Sequence, residues 1–156
     1  MAKTIELRTR VEPFVRKWLE NSYPGHTFTA KPLPLRRKRD GAYAVHQVDA
    51  VSEDNSIVAS IKSHSWLTSG GKRPSGKIAE IYQSLYLLSL VDAKTKLLIL
   101  TDRETYEGFL AVSDGKVADD VEIKLCPLPP ELQAMVKKVQ QKASREMSRE
   151  QEFINQ

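Results

Sequence analysis

Two residues of opposite charge, Asp49 and Lys62, stand where a tight β-hairpin would bring them together. Apolar residues alternate through 45–51, a β-branched run fills 57–62, and the polar stretch between them favours a turn. Because side chains alternate between the faces of a strand, Ser60 and Lys62 share one face, on which Asp49 of the partner strand can converge. An acid and an amine held on adjacent strands are the minimal parts of a metal-dependent phosphodiesterase site.

The order of these residues along the chain is similar to a known nuclease pattern. An Asp late in one strand is followed by Ser-x-Lys on the next strand, then by a helix and another apolar strand. Over roughly residues 5–126 this resembles the PD-(D/E)xK superfamily, the fold of many restriction endonucleases. The resemblance makes Asp49 the first acid and Lys62 the lysine, with Val48 standing where the motif has proline.

Ser60 occupies the position at which this superfamily usually has its second acid. A subgroup of type II restriction enzymes has the same Ser-x-Lys form and takes the second carboxylate from the following helix. By that resemblance Glu80 is the relocated acid, and Gln83, one helical turn later on the same side, is a possible supporting residue. Glu12 on the first helix is a further candidate near the metal, although we favour the simpler interpretation of an acid that stabilises a first helical turn.

The resemblance implies hydrolysis of DNA phosphodiester bonds with Mg²⁺, for which Mn²⁺ can substitute. Mg²⁺ prefers hard oxygen ligands and usually takes only one or two carboxylates from a protein. Asp49, Glu80 and the backbone carbonyl of Ile61 would supply those oxygens. Lys62 would position or activate the attacking water, or neutralise the scissile phosphate. Many such enzymes are homodimers, and a chain of 156 residues is small for reaching both DNA strands alone, so a homodimer is expected.

Basic residues are concentrated in two short segments, although the net charge of the chain is only +4. These residues are Arg36, Arg37, Lys38 and Arg39 in the first segment and Lys72, Arg73 and Lys77 in the second. Clusters of this kind suit phosphate backbones, and the resemblance makes them DNA contacts. For either cluster alone, an ordinary solubilising surface is an equally good interpretation.

Composition indicates an ordinary globular chain of one domain, with 40% apolar and 28% charged residues. No apolar run approaches the ~18 residues of a membrane span, and the first residues do not form a signal peptide. The single cysteine, Cys126, excludes an internal disulfide and favours the reducing cytoplasm.

The elements that must position the site follow from periodicity and breakers. The predicted elements are a helix over 5–22 that is regular from about Glu12, an edge strand over 26–35 ended by its prolines, the hairpin, a helix over 78–91, a strand over 96–101 buried on both faces, a short helix or turn over 103–110, an edge strand over 121–125 and a helix from 131. This order predicts an α/β fold with a restriction-endonuclease-like core, αβββαβ, followed by a strand and a helix. Its central mixed sheet is flanked by helices, with a nuclease-like domain over 1–130 and a C-terminal helix or tail over 131–156.

Two other functions stay open from the residues. A nuclease-like fold without its second carboxylate would bind DNA or a protein partner without cutting. The segment 71–77 also fits the phosphate-binding pattern G-x-x-x-x-G-K, but Ile78 replaces the hydroxyl that should bind Mg²⁺ and no buried strand precedes the segment. The three histidines, His26, His46 and His64, lack the spacing of metal ligands, and we interpret them as structural or exposed.

Overall fold

The structure, a computed structural model, describes residues 5–66 and 71–154; the side chains of residues 8, 143–148, 151 and 153 lie outside that description. In this part of the chain, one five-stranded mixed sheet has its strands side by side in chain order. The strands are β1 (Phe28–Arg37), β2 (Tyr43–Ser52), β3 (Ile57–Lys62), β4 (Thr95–Leu100) and β5 (Val121–Leu125). β2 is antiparallel to both β1 and β3, whereas β3, β4 and β5 are parallel.

Helices supply the long crossovers that parallel strands require. The helices are α1 (Glu12–Ser22), α2 (Ser75–Ser89), α3 (Arg103–Val112) and α4 (Pro130–Ile154). A π-helical turn, Leu7–Val11, leads into α1. α2 connects β3 to β4 and α3 connects β4 to β5, so the predicted α/β class with a mixed sheet flanked by helices is confirmed.

The two faces of the sheet pack against different helices. Ile57, Ala59 and Ile61 of β3 lie in the core formed with α1 and α4, whereas Val58 packs on the other face against Leu88 of α2. Ser60 and Lys62 alternate with the first set and therefore belong to the α2 face, as predicted. The whole of 96–100 in β4 is buried, which confirms the strand predicted to be covered on both faces.

β1 differs from its prediction. Pro32 and Pro34 both pair with residues of β2, and the strand continues to Arg37 instead of ending at the prolines. β1 is an edge strand, where the missing N–H of proline is harmless if it points to solvent. Arg36 and Arg37 consequently belong to the strand, which was predicted to end at residue 35.

The start of α2 also differs from expectation. α2 begins at Ser75, three residues before its predicted start. α4 runs for 25 residues, and its early residues Leu132 and Val136 are buried in the same core as α1. Across 5–66 and 71–154, no helix combines the length and apolarity needed to cross a membrane.

Candidate active site at the end of β3

The carboxylate of Asp49 takes the place of a backbone acceptor at the end of the hairpin. The paired positions of β2 and β3 are Ala50 with Ala59 and Val51 with Val58, and the register of β2 shifts near this point. Beyond those pairs, Oδ2 of Asp49 accepts the N–H of Ile61 at 2.8 Å. A register shift of this kind is typical of a β-bulge, which can change the direction of a side chain next to a functional site.

Arg16 on α1 fixes the backbone of Asp49 from the other side. Its Nη1 donates to the Asp49 carbonyl oxygen at 2.9 Å, and the same Nη1 lies 4.0 Å from Oε2 of Glu12. Glu12 is thus connected to Asp49 through an arginine, and it is a half-buried acid in the first turn of α1. This contact fits a supporting position for Glu12, and Arg16 is a residue that the sequence interpretation missed.

Ser60 and Lys62 follow Asp49 on the neighbouring strand. Ser60 is only 4% exposed, and it brings a hydroxyl and no carboxylate to the α2 face. Lys62 is half-buried as the last residue of β3, and its backbone carbonyl accepts the N–H of Thr101 at 3.2 Å. Its ammonium lies close enough to His64 to lower the pKa of that imidazole.

Glu80 lies beside His64, and within the described part of the chain no hydrogen bond or ion pair joins it to Asp49. Oε2 of Glu80 is 3.4 Å from Nε2 of His64, and the Glu80 side chain is 61% exposed on the first turns of α2. A carboxylate only accepts, so the proton of a neutral His64 belongs on Nε2, facing Glu80. Nδ1 of His64 is buried and has no hydrogen-bond partner among the described residues. Gln83, one turn after Glu80, is exposed.

The segment that carries His64 is held by two distant helices. Thr105 at the start of α3 donates its hydroxyl to the His64 carbonyl at 2.7 Å, and Gln140 of α4 donates Nε2 to the Ser63 carbonyl at 2.7 Å. Burial lowers the pKa of His64, the nearby Glu80 opposes that shift, and Lys62 and Lys77 add to it. His64 is therefore a fixed, neutral imidazole among charged groups.

The sequence interpretation set His64 aside because its spacing fits no metal site. The available signal in the sequence was proximity, since His64 follows Lys62 by two residues.

Among the described residues, one group of acids and histidines is compact enough to hold a metal ion, and it lies away from Asp49 and Glu80. Within 5–66 and 71–154, the only three or more such side chains with ligand atoms within 4.8 Å of one another are His26, Glu53 and Asp54. Asp49, His64 and Glu80 therefore do not form such a group. Oδ1 of Asp54 already accepts from Ser56, so this turn is organised by its own hydrogen bonds.

The two basic segments lie at opposite ends of α2. Arg36 donates to the carbonyl of Leu90 at 2.9 Å, where α2 ends, whereas Lys77 is half-buried in the first turn of α2. Leu90 follows Lys77 by 13 positions, which span about 20 Å of helix. Lys72 and Arg73 are exposed just before α2.

The nucleotide-hydrolase pattern over 71–77 has an unsuitable setting. β3 ends at Lys62, well before Gly71, so no strand leads directly into this segment. A phosphate loop must instead leave a strand and precede its helix. The placement disfavours that alternative.

Comparison with known proteins adds no identification. No family model, no curated protein and no solved structure matches this chain. The chain is thus a mixed α/β protein in which Asp49 and Lys62 lie at the end of β3, and the contact of His64 with Glu80 lies just beyond that end.

Proposed function

We propose that the protein is a metal-dependent DNA endonuclease. The observation that carries this proposal is that two carboxylates are tied to the same strand end. Asp49 contacts the N–H of Ile61, and Glu80 contacts the ring of His64 only three residues later. Three residues of extended chain span at most about 10 Å of backbone, and the proposal requires the largely exposed Glu80 side chain to turn from His64 toward Asp49 when the metal binds.

The order of the elements supports the same proposal. A helix, three antiparallel strands, a helix and a parallel strand follow one another, and Asp49 and Ser-x-Lys lie on the second and third strands. This is the order that the resemblance to the PD-(D/E)xK fold implies.

The donor groups at this strand end suit Mg²⁺ or Mn²⁺. Among the described residues, Oδ1 of Asp49 has no hydrogen-bond partner. Residues of a strand point their N–H and C=O to the same side, so the Ile61 carbonyl faces β2 beside Asp49, while the Lys62 carbonyl faces β4. Together with the Glu80 carboxylate these are hard oxygens, the ligands that Mg²⁺ takes. When bound, the ion supplies an acidified water and stabilises charge on the leaving oxygen.

The chain's own residues then have distinct roles. Lys62 orients the attacking water or neutralises the scissile phosphate from the α2 face. Arg36 to Arg39, Lys72, Arg73 and Lys77 contact DNA phosphates, and Gln83 and Glu12 support the acids.

We further propose that a homodimer cuts both strands, so a monomer by light scattering on DNA would contradict this part. The buried thiol of Cys126 suits the reducing cytoplasm that we propose as the site of action.

The test is cleavage of plasmid and branched DNA with Mg²⁺ or Mn²⁺, using Asp49→Asn, Lys62→Met and Glu80→Gln. Each substitution should lower the rate by at least about 10²-fold, because Asp49 and Glu80 would hold the metal ion and Lys62 would act on the attacking water or the phosphate. Glu107→Gln, an exposed acid on α3, is the matched control and should cut like wild type. Cleavage that survives Glu80→Gln but not Asp49→Asn would assign the second acid to another residue such as Glu12.

A second candidate is a nuclease-like module that binds DNA or protein without cutting. It is favoured by the buried Ser60 in place of an acid and by the separation of Asp49 from the His64–Glu80 pair. Direct Mn²⁺ titration followed by electron paramagnetic resonance separates the two. DNA binding without cleavage and without stoichiometric Mn²⁺ would establish the binding module.

A further inference from the structure

One face of the hairpin formed by β1 and β2 lies bare. Its three cross-strand pairs are Pro32 with Gln47, Pro34 with Val45 and Arg37 with Tyr43. Directly opposed residues of two strands share a face, and all six of these residues are exposed. We call this surface the bare hairpin face.

The opposite face of the same hairpin is covered normally. Leu33 and Leu35 pack there against Leu88 and Val91 at the end of α2. On the bare hairpin face, by contrast, Tyr43 is 51% and Val45 is 63% exposed. Two large apolar side chains side by side on an uncovered strand surface indicate a binding surface more than single exposed residues do.

The charges around this face are mainly positive. The guanidinium of Arg37 lies 5.1 Å from the centre of the Tyr43 ring, and Lys38 and Arg39 follow in the exposed turn. The acid of this turn, Asp40, accepts the N–H of Ala42 and lies 3.9 Å from Lys38. An exposed aromatic ring beside several cations matches the surfaces on which proteins stack unpaired bases and bind their phosphates.

The face also leads along β2 toward Asp49, while Ser60 and Lys62 belong to the opposite, α2 face of the sheet. Tyr43, Val45 and Gln47 lie along β2, and Asp49 is the next residue but one after Gln47. Six residues of strand place Tyr43 about 20 Å from Asp49. A strand of nucleic acid bound along this face would therefore run toward the acid.

We propose that the bare hairpin face binds an unpaired segment of nucleic acid, with a base stacked on Tyr43 and phosphates at Arg37, Lys38 and Arg39. The inference rests on the proposed function for its DNA partner and specifies single-stranded or branched DNA. In a duplex the base faces are stacked on one another, so Tyr43 would have none to contact. A symmetric contact with a second copy would bring the cations of both copies into one interface, which disfavours a dimer here.

The experiment is fluorescence anisotropy in EDTA, which excludes metal-dependent cleavage, with a labelled single strand and the corresponding duplex. Wild type should bind the single strand at least several-fold more tightly. Tyr43→Ala should weaken that binding by about 5- to 150-fold, the range for one stacked base, and Tyr43→Phe should stay close to wild type. Tyr86→Ala removes a tyrosine of similar exposure on α2 and should leave both affinities unchanged.

Three results would overturn the inference: unchanged single-strand affinity in Tyr43→Ala, an equal loss in Tyr86→Ala, or a Tyr43→Ala effect confined to self-association in sedimentation. The result is separable from the endonuclease. Binding that depends on Tyr43, without cleavage, would refute the proposed catalysis and support nucleic-acid binding at this face. Cleavage that does not change in Tyr43→Ala would support the proposed catalysis and refute binding at this face.

Discussion

Asp49 replaces a missing ladder bond of the sheet by accepting the N–H of Ile61 through its side chain at 2.8 Å. The same carboxylate is the first acid of the proposed metal site. Oδ2 of this side chain therefore has a structural duty, the hydrogen bond to Ile61, and Oδ1 has a proposed duty as a metal ligand. Suitable substitutions can separate the two.

Asp49→Asn should keep the structural duty and lose the ligand duty. Its amide oxygen can still accept from Ile61, so the free energy of unfolding in urea should stay near wild type, while Mn²⁺ binding falls. Asp49→Ala leaves a part-buried N–H without its partner, which costs about 1–3 kcal/mol. Equal stability of the two variants would contradict the structural duty, and intact Mn²⁺ binding in Asp49→Asn would contradict the other.

His64 should make the stability of the fold depend on pH. Burial and the charges of Lys62 and Lys77 lower its pKa in the folded state below the ordinary 6.5. As the pH falls through 6.5, the unfolded chain takes up the proton first, so the free energy of unfolding decreases until the folded pKa is passed. Above 6.5 this contribution to stability is complete.

Urea unfolding across this pH window measures the effect. His64→Gln should flatten the decrease that wild type shows, because the titrating group is gone. The same substitution at His46 on β2 should leave the decrease in place. A wild-type stability that is flat across the window would show that His64 is not desolvated as its position indicates.

The hairpin, the buried strand β4 and α2 could be predicted because their signals are local. Alternation of apolar residues marks a strand with one covered face, and the unbroken run 96–100 marks one covered on both. These patterns are imposed by the pleat and the helical turn, so they need no knowledge of distant residues.

The contacts of the candidate site could not be predicted in the same way. The Asp49 contact with Ile61 depends on where the register of β2 shifts, and no residue type marks that shift. The partners of the His64 segment, Thr105 and Gln140, are 41 and 77 positions from their acceptors in the chain. The predicted end of β1 at Pro32 and Pro34 was wrong for a related reason. Whether a strand tolerates proline depends on whether it lies at the edge of the sheet, and the sequence does not show this locally.

Arg36 and Arg39 should respond differently to substitution although they were assigned the same role. Arg36 donates to the Leu90 carbonyl, so Arg36→Gln should lower stability by about 0.3–1 kcal/mol, the range for a cation at a helix C-terminus. Arg39→Gln in the turn should leave stability unchanged and should lower the slope of log affinity against log salt by about 0.7 on single-stranded DNA. Matching effects on stability would argue against the anchoring of Arg36.

Gly108 on α3 should be the least replaceable small residue near the His64 segment. A Cβ at this position would overlap the indole of Trp66, with Cε2, Cζ2 and Cδ2 as its nearest atoms. Alanine normally stabilises a helix interior by about 1 kcal/mol relative to glycine. Here the overlap forces Trp66 to move, and overpacking of this kind costs about 1–3 kcal/mol. Gly108→Ala should therefore give a net loss of stability, with a shift in Trp66 fluorescence measured in a Trp18→Phe background.

A double-mutant cycle isolates the cause of that loss. In a Trp66→Leu background the smaller side chain leaves room for the new methyl group, so Gly108→Ala should become neutral or stabilising there. A destabilisation of the same size in both backgrounds would mean that something other than the indole excludes alanine. Because Trp66 follows His64 by two residues, its displacement should also disturb the contact with Glu80. Mn²⁺ affinity should therefore fall in Gly108→Ala, provided that Glu80 is a ligand.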